Sequence, residues 1–402
     1  MKRSVGLLAV AATLFVLGFA SVPAAQGAGR IIVPNSSIEK PGDLGLRAHT
    51  TFVIYQGGVK TESQPSGETP ASLACVYGLV TRTPGCPKVG SSPNPTGGAG
   101  AVALVDAYDN PDATADIAAY STQWGLPPAN FSQVYANGHQ PANNPGGWSL
   151  EEALDIEMAH AMAPSAQVIL VEAASNSYSD LFLAESVAST LVAAAGGGEA
   201  SNSWQGSEFS GELGDDSNFT TSGVVYFASS GDSGGVVGYP SVSPNCVSAG
   251  GTTINRDVNG NFTSESAWSS AGGGPSAYEA RPNYQNNIQS IVGTKRGTPD
   301  FSFDANPSSG PAMYDADGGF GWIVVGGTSV SSPALAGLVN TAGHFYTSSN
   351  TQLVTEYKIY ANHAQYLKAF RDITTGKNGS HSCAKGWEYC TGIGTPITYK
   401  GK

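Results

Sequence analysis

Four runs between residues 101 and 235 constrain this chain more than any other feature: "AVALVDAY", "AQVILVEA", "EASNSW" and "GVVYFASSGDSGG". The first two are apolar without alternation, which suits strands buried on both faces. Helical patterns lie between them: "ATADIAAYSTQWGLP" closed by Gly125, "SLEEALDIEMAHAMAP" stopped before Pro164, and "SDLFLAESVASTLVAAAG". Apolar strands alternating with helices predict an α/β fold, a mostly parallel sheet with helices on both faces. Functional residues of such a sheet gather outside the carboxyl ends of its strands. Asp106, Ser203 with Trp204, Asp232 and Ser329 all meet that description and should converge.

Composition narrows the function classes. The 402 residues are 40% hydrophobic, enough for a packed core, and only 12% charged, with a formal net charge of -12. That charge argues against a nucleic-acid partner. A surface poor in Lys and Arg gathers little positive self-repulsion once its carboxylates are protonated, which suits an acidic medium. Residues 1–27 have a basic start, an apolar run and then small residues, the three parts of a signal peptide, so export is expected. No later segment is long and apolar enough to span a bilayer, so no stable membrane association is expected. Among the five cysteines, Cys75 with Cys86 and Cys383 with Cys390 are spaced to close small disulfide loops in an oxidising compartment; Cys246 is left as a buried apolar residue.

Ser329, in "VVGGTSVSSPALAGLV", follows an apolar run and opens a helical one, after a Gly-Gly pair that permits a tight turn. The position suits an N-cap serine as well as a nucleophile. A nucleophilic serine needs a base. The six histidines, His49, His139, His160, His344, His363 and His381, include none in a setting that marks a triad base. Glu151 and Asp155 offer carboxylates instead. Four apart on a helix, they share one face roughly 6 Å from each other, and like charges so placed can share a proton. A solvated acidic face would show the same spacing, but Ala153, Leu154, Ile156, Met158 and Ala159 surround the pair, so at least one acid should be partly buried.

"GGTSVSSP", "EEALDIEMAHAMAP" and "ASSGDSGG", behind an exported N-terminus, resemble the sedolisin family of serine-carboxyl peptidases from about Ala71 to the C-terminus. The resemblance implies a subtilisin-like fold in a single catalytic domain over residues 71–402, after a short N-terminal or pro segment at 28–70. It implies secretion, activity in acid, and a catalytic set in which Ser329 is the nucleophile, Glu151 the base, Asp155 the acid orienting it, and Asp232 the oxyanion donor. Asp106 then supports the Glu151–Asp155 pair, and Ser203-Trp204 borders the substrate cleft. Glutamate is the matched base in acid, where a histidine of pKa about 6.5 would already be protonated.

The same resemblance implies one structural calcium ion, held by the carboxylate of Asp372, the carbonyls of Ile373, Ala384 and Gly386, and the carboxylate of Glu388. Ala384 replaces the family's glycine and Glu388 its aspartate. Only about forty residues separate the expected signal from "PASLACVYGLV", where the mature region should begin, too few for the folded propeptide typical of the family. The expected partner is a protein or peptide substrate and the expected state a monomer. A catalytically silent binding module on the same fold, a tripeptidyl-peptidase and an esterase remain open as alternatives.

Overall fold

The computed structural model describes residues 29–56, 65–90 and 92–399; the expected signal peptide lies outside the described residues. Three short strands come first, β1 (Arg30–Ile32), β2 (His49–Thr50) and β3 (Val53–Gln56), then helix α1 (Pro70–Tyr77). The alternating region follows as β4 (Ala101–Ala107), α2 (Ala113–Trp124), β5 (Asn130–Tyr135), α3 (Trp148–Met162), β6 (Gln167–Ala173), α4 (Tyr178–Ala194), β7 (Gly198–Asn202), β8 (Trp204–Ser207) and β9 (Val224–Ser229). Beyond it lie β10 (Gly238–Tyr239), β11 (Cys246–Arg256), β12 (Phe262–Ala267), β13 (Gly274–Ala280), α5 (Gln289–Val292), β14 (Lys295–Thr298), β15 (Phe301–Asp304), β16 (Ala312–Asp315) and β17 (Gly321–Gly326). The chain then enters α6 (Thr328–Asn340), α7 (Ser349–Ala361) and α8 (His363–Ala369).

The central sheet has the order β12-β11-β9-β7-β4-β6-β5, with β15 also paired to β11. Every pair is parallel except β11 with β12. This is the predicted α/β architecture, and the apolar runs explain it. Val102 and Leu104 of β4, with Val168 and Leu170 of β6, pack into the core containing α3 and α6. Their odd-numbered neighbours Ala103, Val105, Ile169 and Val171 pack into the core containing α4. Both faces are covered, so neither strand can alternate apolar with polar residues.

Local signals hold where they were read. Gly125 closes α2 at φ +66°, a left-handed conformation that costs glycine little. Thr69 caps α1 through a reciprocal capping box with Ser72. "EASNSW" divides into β7 and β8 around Ser203. Cys75 and Cys86 form a disulfide with Cα atoms 5.4 Å apart. The second expected pair needs correction: Cys383 and Cys390 are not bridged. Their sulfurs stand within 4.8 Å of each other, but the Cys390 thiol donates to the His381 carbonyl. Cys246 is buried and unpaired, as expected. No helix among the described residues is long and apolar enough to cross a membrane.

Candidate active site

Ser329 is the second residue of α6, reached from β17 through Gly327. Position 327 requires glycine: φ is +112°, and a Cβ would come within 2.2 Å of the Thr51 carbonyl oxygen, 2.5 Å of Phe52 Cα and 2.6 Å of Asp232 Oδ2. Pro333 has no N–H to offer the Ser329 carbonyl, which instead accepts from the Ser203 hydroxyl at 3.4 Å. The Ser329 hydroxyl lies 2.9 Å from Thr51 Oγ1 and 3.4 Å from the Ser203 carbonyl. No histidine is hydrogen-bonded to Ser329 among the described residues; His160, on α3, meets the Pro127 carbonyl.

Glu151 stands in the first turn of α3 and Asp155 one turn later, and both are completely buried rather than partly so. The reason is that α3 is wrapped on all sides: every one of its fifteen residues is buried. Neither Glu151 oxygen makes a hydrogen bond of good geometry, although the Ser329 hydroxyl and the Thr51 amide lie close by. Burial first, then Asp106, hold the Glu151 carboxyl well above the ordinary glutamate range, and the nearby Ser329 hydroxyl offsets only part of that. Asp155 accepts from the Ser203 hydroxyl at 2.8 Å; burial, then Asp106 and Glu151, push it upward in the same way.

Asp106, the penultimate residue of β4, has neither oxygen hydrogen-bonded, and burial pushes it to about 8. Asp232 accepts from the Thr328 N–H at 2.8 Å and the Thr328 hydroxyl at 2.9 Å, both through Oδ1. Its Oδ2 is buried without a partner and faces the glycine at 327. Burial outweighs the two Thr328 bonds and raises Asp232 to about 7. Trp204 contributes to this place only through its backbone. Its indole is fully buried and donates to the Val105 carbonyl, an ordinary packed tryptophan.

Two acids in this neighbourhood escaped the sequence reading. Glu172 ends "VILVE" as Asp106 ends "VALVD", and the two are register partners on β6 and β4. That shared strand-end acid was the available signal. Glu152, beside the catalytic candidate on α3, is fully buried with neither oxygen hydrogen-bonded; burial, then Glu172 and Asp106, raise it. The other omission is Thr51. β2 pairs antiparallel with β8, placing Thr50 opposite Trp204, and β3 pairs antiparallel with β17, placing Val53 opposite Gly326. Thr51 and Phe52 therefore lie across the Ser329 end of α6. The Thr51 carbonyl accepts the Ser329 N–H at 3.0 Å.

The expected calcium residues are only partly assembled. The Gly386 N–H meets both Asp372 carboxylate oxygens, at 3.1 and 3.2 Å, so residues fourteen apart come into contact at a left-handed glycine turn. Ile373 is buried beside them. Glu388 spends both oxygens on its own turn, accepting from the Cys390 N–H, the Thr391 N–H and the Thr391 hydroxyl. The donor set is all oxygen and fits a hard cation at the Asp372 end.

No protein-family model matches the chain. Kumamolisin from Bacillus sp. (strain MN-32) is 28% identical over 336 residues, which cover 74% of this chain and 58% of that protein. Sedolisin from Pseudomonas sp. (strain 101) is 30% identical over 174 residues, 40% of this chain and 28% of that one. Xanthomonalisin from Xanthomonas sp. (strain T-22) is 30% identical over 182 residues, covering 40% of this chain and 21% of its own length. The chain thus matches under two thirds of each of these relatives. The solved structure of Pseudomonas sedolisin, a serine-carboxyl proteinase bound to pseudo-iodotyrostatin, superposes with a TM-score of 0.69 at 21% identity, covering 84% of this chain and 97% of that one. Sphericase follows at 0.52 and 19% identity, covering 83% and 99%. These likenesses make the chain similar to sedolisin-family peptidases and show that it carries a subtilisin-like fold.

Proposed function

We propose that the chain is an exported, acid-active serine-carboxyl endopeptidase. The observation that carries this reading is the convergence on Ser329 of a buried carboxyl beside its hydroxyl and of two groups able to hold an oxyanion: its own N–H and Asp232 Oδ2. Glu151 takes the proton from Ser329 Oγ as that oxygen attacks a peptide carbonyl carbon. Negative charge then grows on the carbonyl oxygen, where the Ser329 N–H and a protonated Asp232 donate to it. Collapse expels the amine, which leaves with the proton held by Glu151. Water hydrolyses the acyl-enzyme by the same steps in reverse. Asp155 positions Glu151, and Asp106 discourages the pair from ionising together.

A carboxyl base of this kind works in acid, where a histidine would be protonated throughout. The test is hydrolysis of a denatured protein between about pH 2 and 8 by wild type and Ser329→Ala. Activity confined to acid and abolished by the substitution is expected. Serine-independent activity, or activity only above neutrality, contradicts the reading.

One calcium ion is also proposed, held by Asp372, Ile373, Ala384, Gly386 and Glu388, where it would tie the C-terminal loops together. Chelation should lower the melting temperature of wild type by about one to two degrees, roughly what 1 kcal/mol gives in a chain of this size, and should not affect Asp372→Ala. Equal responses from the two proteins would remove the ion from the account.

A further inference from the structure

We propose that Gln205 sets what the enzyme cleaves. Its amide closes the pocket for the side chain on the acyl side of the cut, and so selects short residues that carry a hydrogen-bond donor, threonine and serine first. The inference rests on the peptidase reading above and names the substrate class of that site.

The reacting groups locate this pocket. An attacked carbonyl oxygen that accepts from the Ser329 N–H and from Asp232 lies between the start of α6 and the loop after β9, where Thr328 holds Asp232. The side chain beside that carbonyl must then enter between this loop and β8. Thr51 shows the contacts available there. Its carbonyl accepts the Ser329 N–H at 3.0 Å, and its hydroxyl donates to Ser229 Oγ at 2.7 Å and to the Ser203 carbonyl at 3.3 Å. Gln205 is on the same face. It stands opposite His49 in the pairing of β8 with β2, and side chains two apart on an extended chain, as at 49 and 51, point the same way. Its neighbour Trp204 turns to the other face, into the core.

The Gln205 side chain lies across two glycines that would otherwise leave this space open. A Cβ at Gly231, the residue before Asp232, would meet Gln205 Oε1, Nε2 and Cδ as its three nearest atoms, and a Cβ at Gly238 would come within 2.8 Å of Oε1. Gln205 is only 5% exposed, yet its Oε1 is buried with no hydrogen-bond partner among the described residues. A buried acceptor left in that state is costly, and a donor brought by a substrate relieves it. Ser229 Oγ, the Ser203 carbonyl and Gln205 Oε1 thus give the pocket oxygen acceptors, and the amide limits its depth. A phenylalanine or leucine side chain would have to displace the amide or seal its oxygen against carbon. A hydroxyl on the β-carbon meets acceptors at once and needs no such room.

The test takes the full chain in acid with peptides identical except at the acyl-side residue, which is Thr, Val or Phe, and locates each cut by mass. For wild type, kcat/KM with Thr should exceed that with its isostere Val by at least about tenfold, and that with Phe by on the order of a hundredfold. Ser229→Ala should erase the difference between Thr and Val. Gln205→Ala should raise Phe relative to Thr by at least about tenfold, whereas Gln205→Leu, which keeps the volume and loses the amide, should leave Phe excluded. Ratios taken within one preparation do not depend on how much of it is folded. A wild type that cleaves after Phe as readily as after Thr, or a Gln205→Ala ratio equal to that of wild type, overturns the proposal while leaving the peptidase reading in place. If wild type hydrolyses none of the peptides and no denatured protein, the peptidase reading fails instead.

Discussion

Arg296 with Asp300, and Asp106 with Glu152, are buried equally and handle charge in opposite ways. Asp300 accepts from Nη1 and Nη2 of Arg296, from the Ser248 N–H and from the Tyr357 hydroxyl. Glu265 likewise meets Arg371, and Glu68 meets Arg256. Each of these three acids has a guanidinium and further donors, which is how a buried charge is tolerated. Among the described residues no Lys or Arg forms an ion pair with the acids around α3. Asp106 and Glu152 have no well-formed hydrogen bond, and burial, joined at Glu152 by Glu172 and Asp106, raises both so that the protonated form is favoured. The difference teaches that the first set of acids is structural and the second is a store of protons beside a serine.

Protonated acids make the largest prediction, a dependence of stability on pH. Below about pH 4 both folded and unfolded chains hold these protons, so the groups contribute no penalty. As pH rises the unfolded chain ionises and the folded one does not, until Asp232 reaches about 7 and Asp106 and Glu172 about 8. Stability is therefore fullest in acid and falls as pH approaches 8, by on the order of 5 kcal/mol from Asp106 alone. Urea denaturation of Ser329→Ala at successive pH values should reveal it; a maximum near neutrality would break the comparison.

Arg296→Met should come next, at about 3–5 kcal/mol of lost stability, because Asp300 would be left buried and unpaired. On the catalytic side, Asp232→Ala should lower kcat by about 10²–10³ with the fold retained, the usual effect of removing one oxyanion donor. The smallest effect sharpens the contrast most. Glu152→Gln replaces an already neutral acid by a neutral amide of similar size, so it should change stability by less than about 1 kcal/mol. A loss as large as that of Arg296→Met would mean that Glu152 is ionised in the folded chain.

Much of the site was legible because it depends on local spacing. Glu151 and Asp155 four apart, Asp232 after an apolar strand and Ser329 at a helix start could be read directly, as could the parallel sheet that gathers them. Full burial of the acids could not, because it arises from α2, α6 and the sheet closing around α3 rather than from α3 itself. Thr51 was invisible for a stronger reason. "HTTFVIYQ" reads as an extended segment, but its partner at Ser329 is 278 residues away. Register across that distance is fixed by the assembled cleft. The unbridged Cys383 and Cys390 make the same point on a small scale: seven residues of spacing allow a disulfide, and a carbonyl at His381 competes for the thiol.

The central claim, that Asp232 beside Ser329 keeps its proton for want of a cation, is tested most directly by titrating Asp232 itself. The infrared carbonyl absorption of Ser329→Ala, minus that of Ser329→Ala with Asp232→Asn, isolates this one carboxyl as pH is raised. The account predicts a protonated-acid band that persists until about pH 7. Its disappearance near pH 4, as for an aspartate in water, would contradict the account and leave the oxyanion without its second donor.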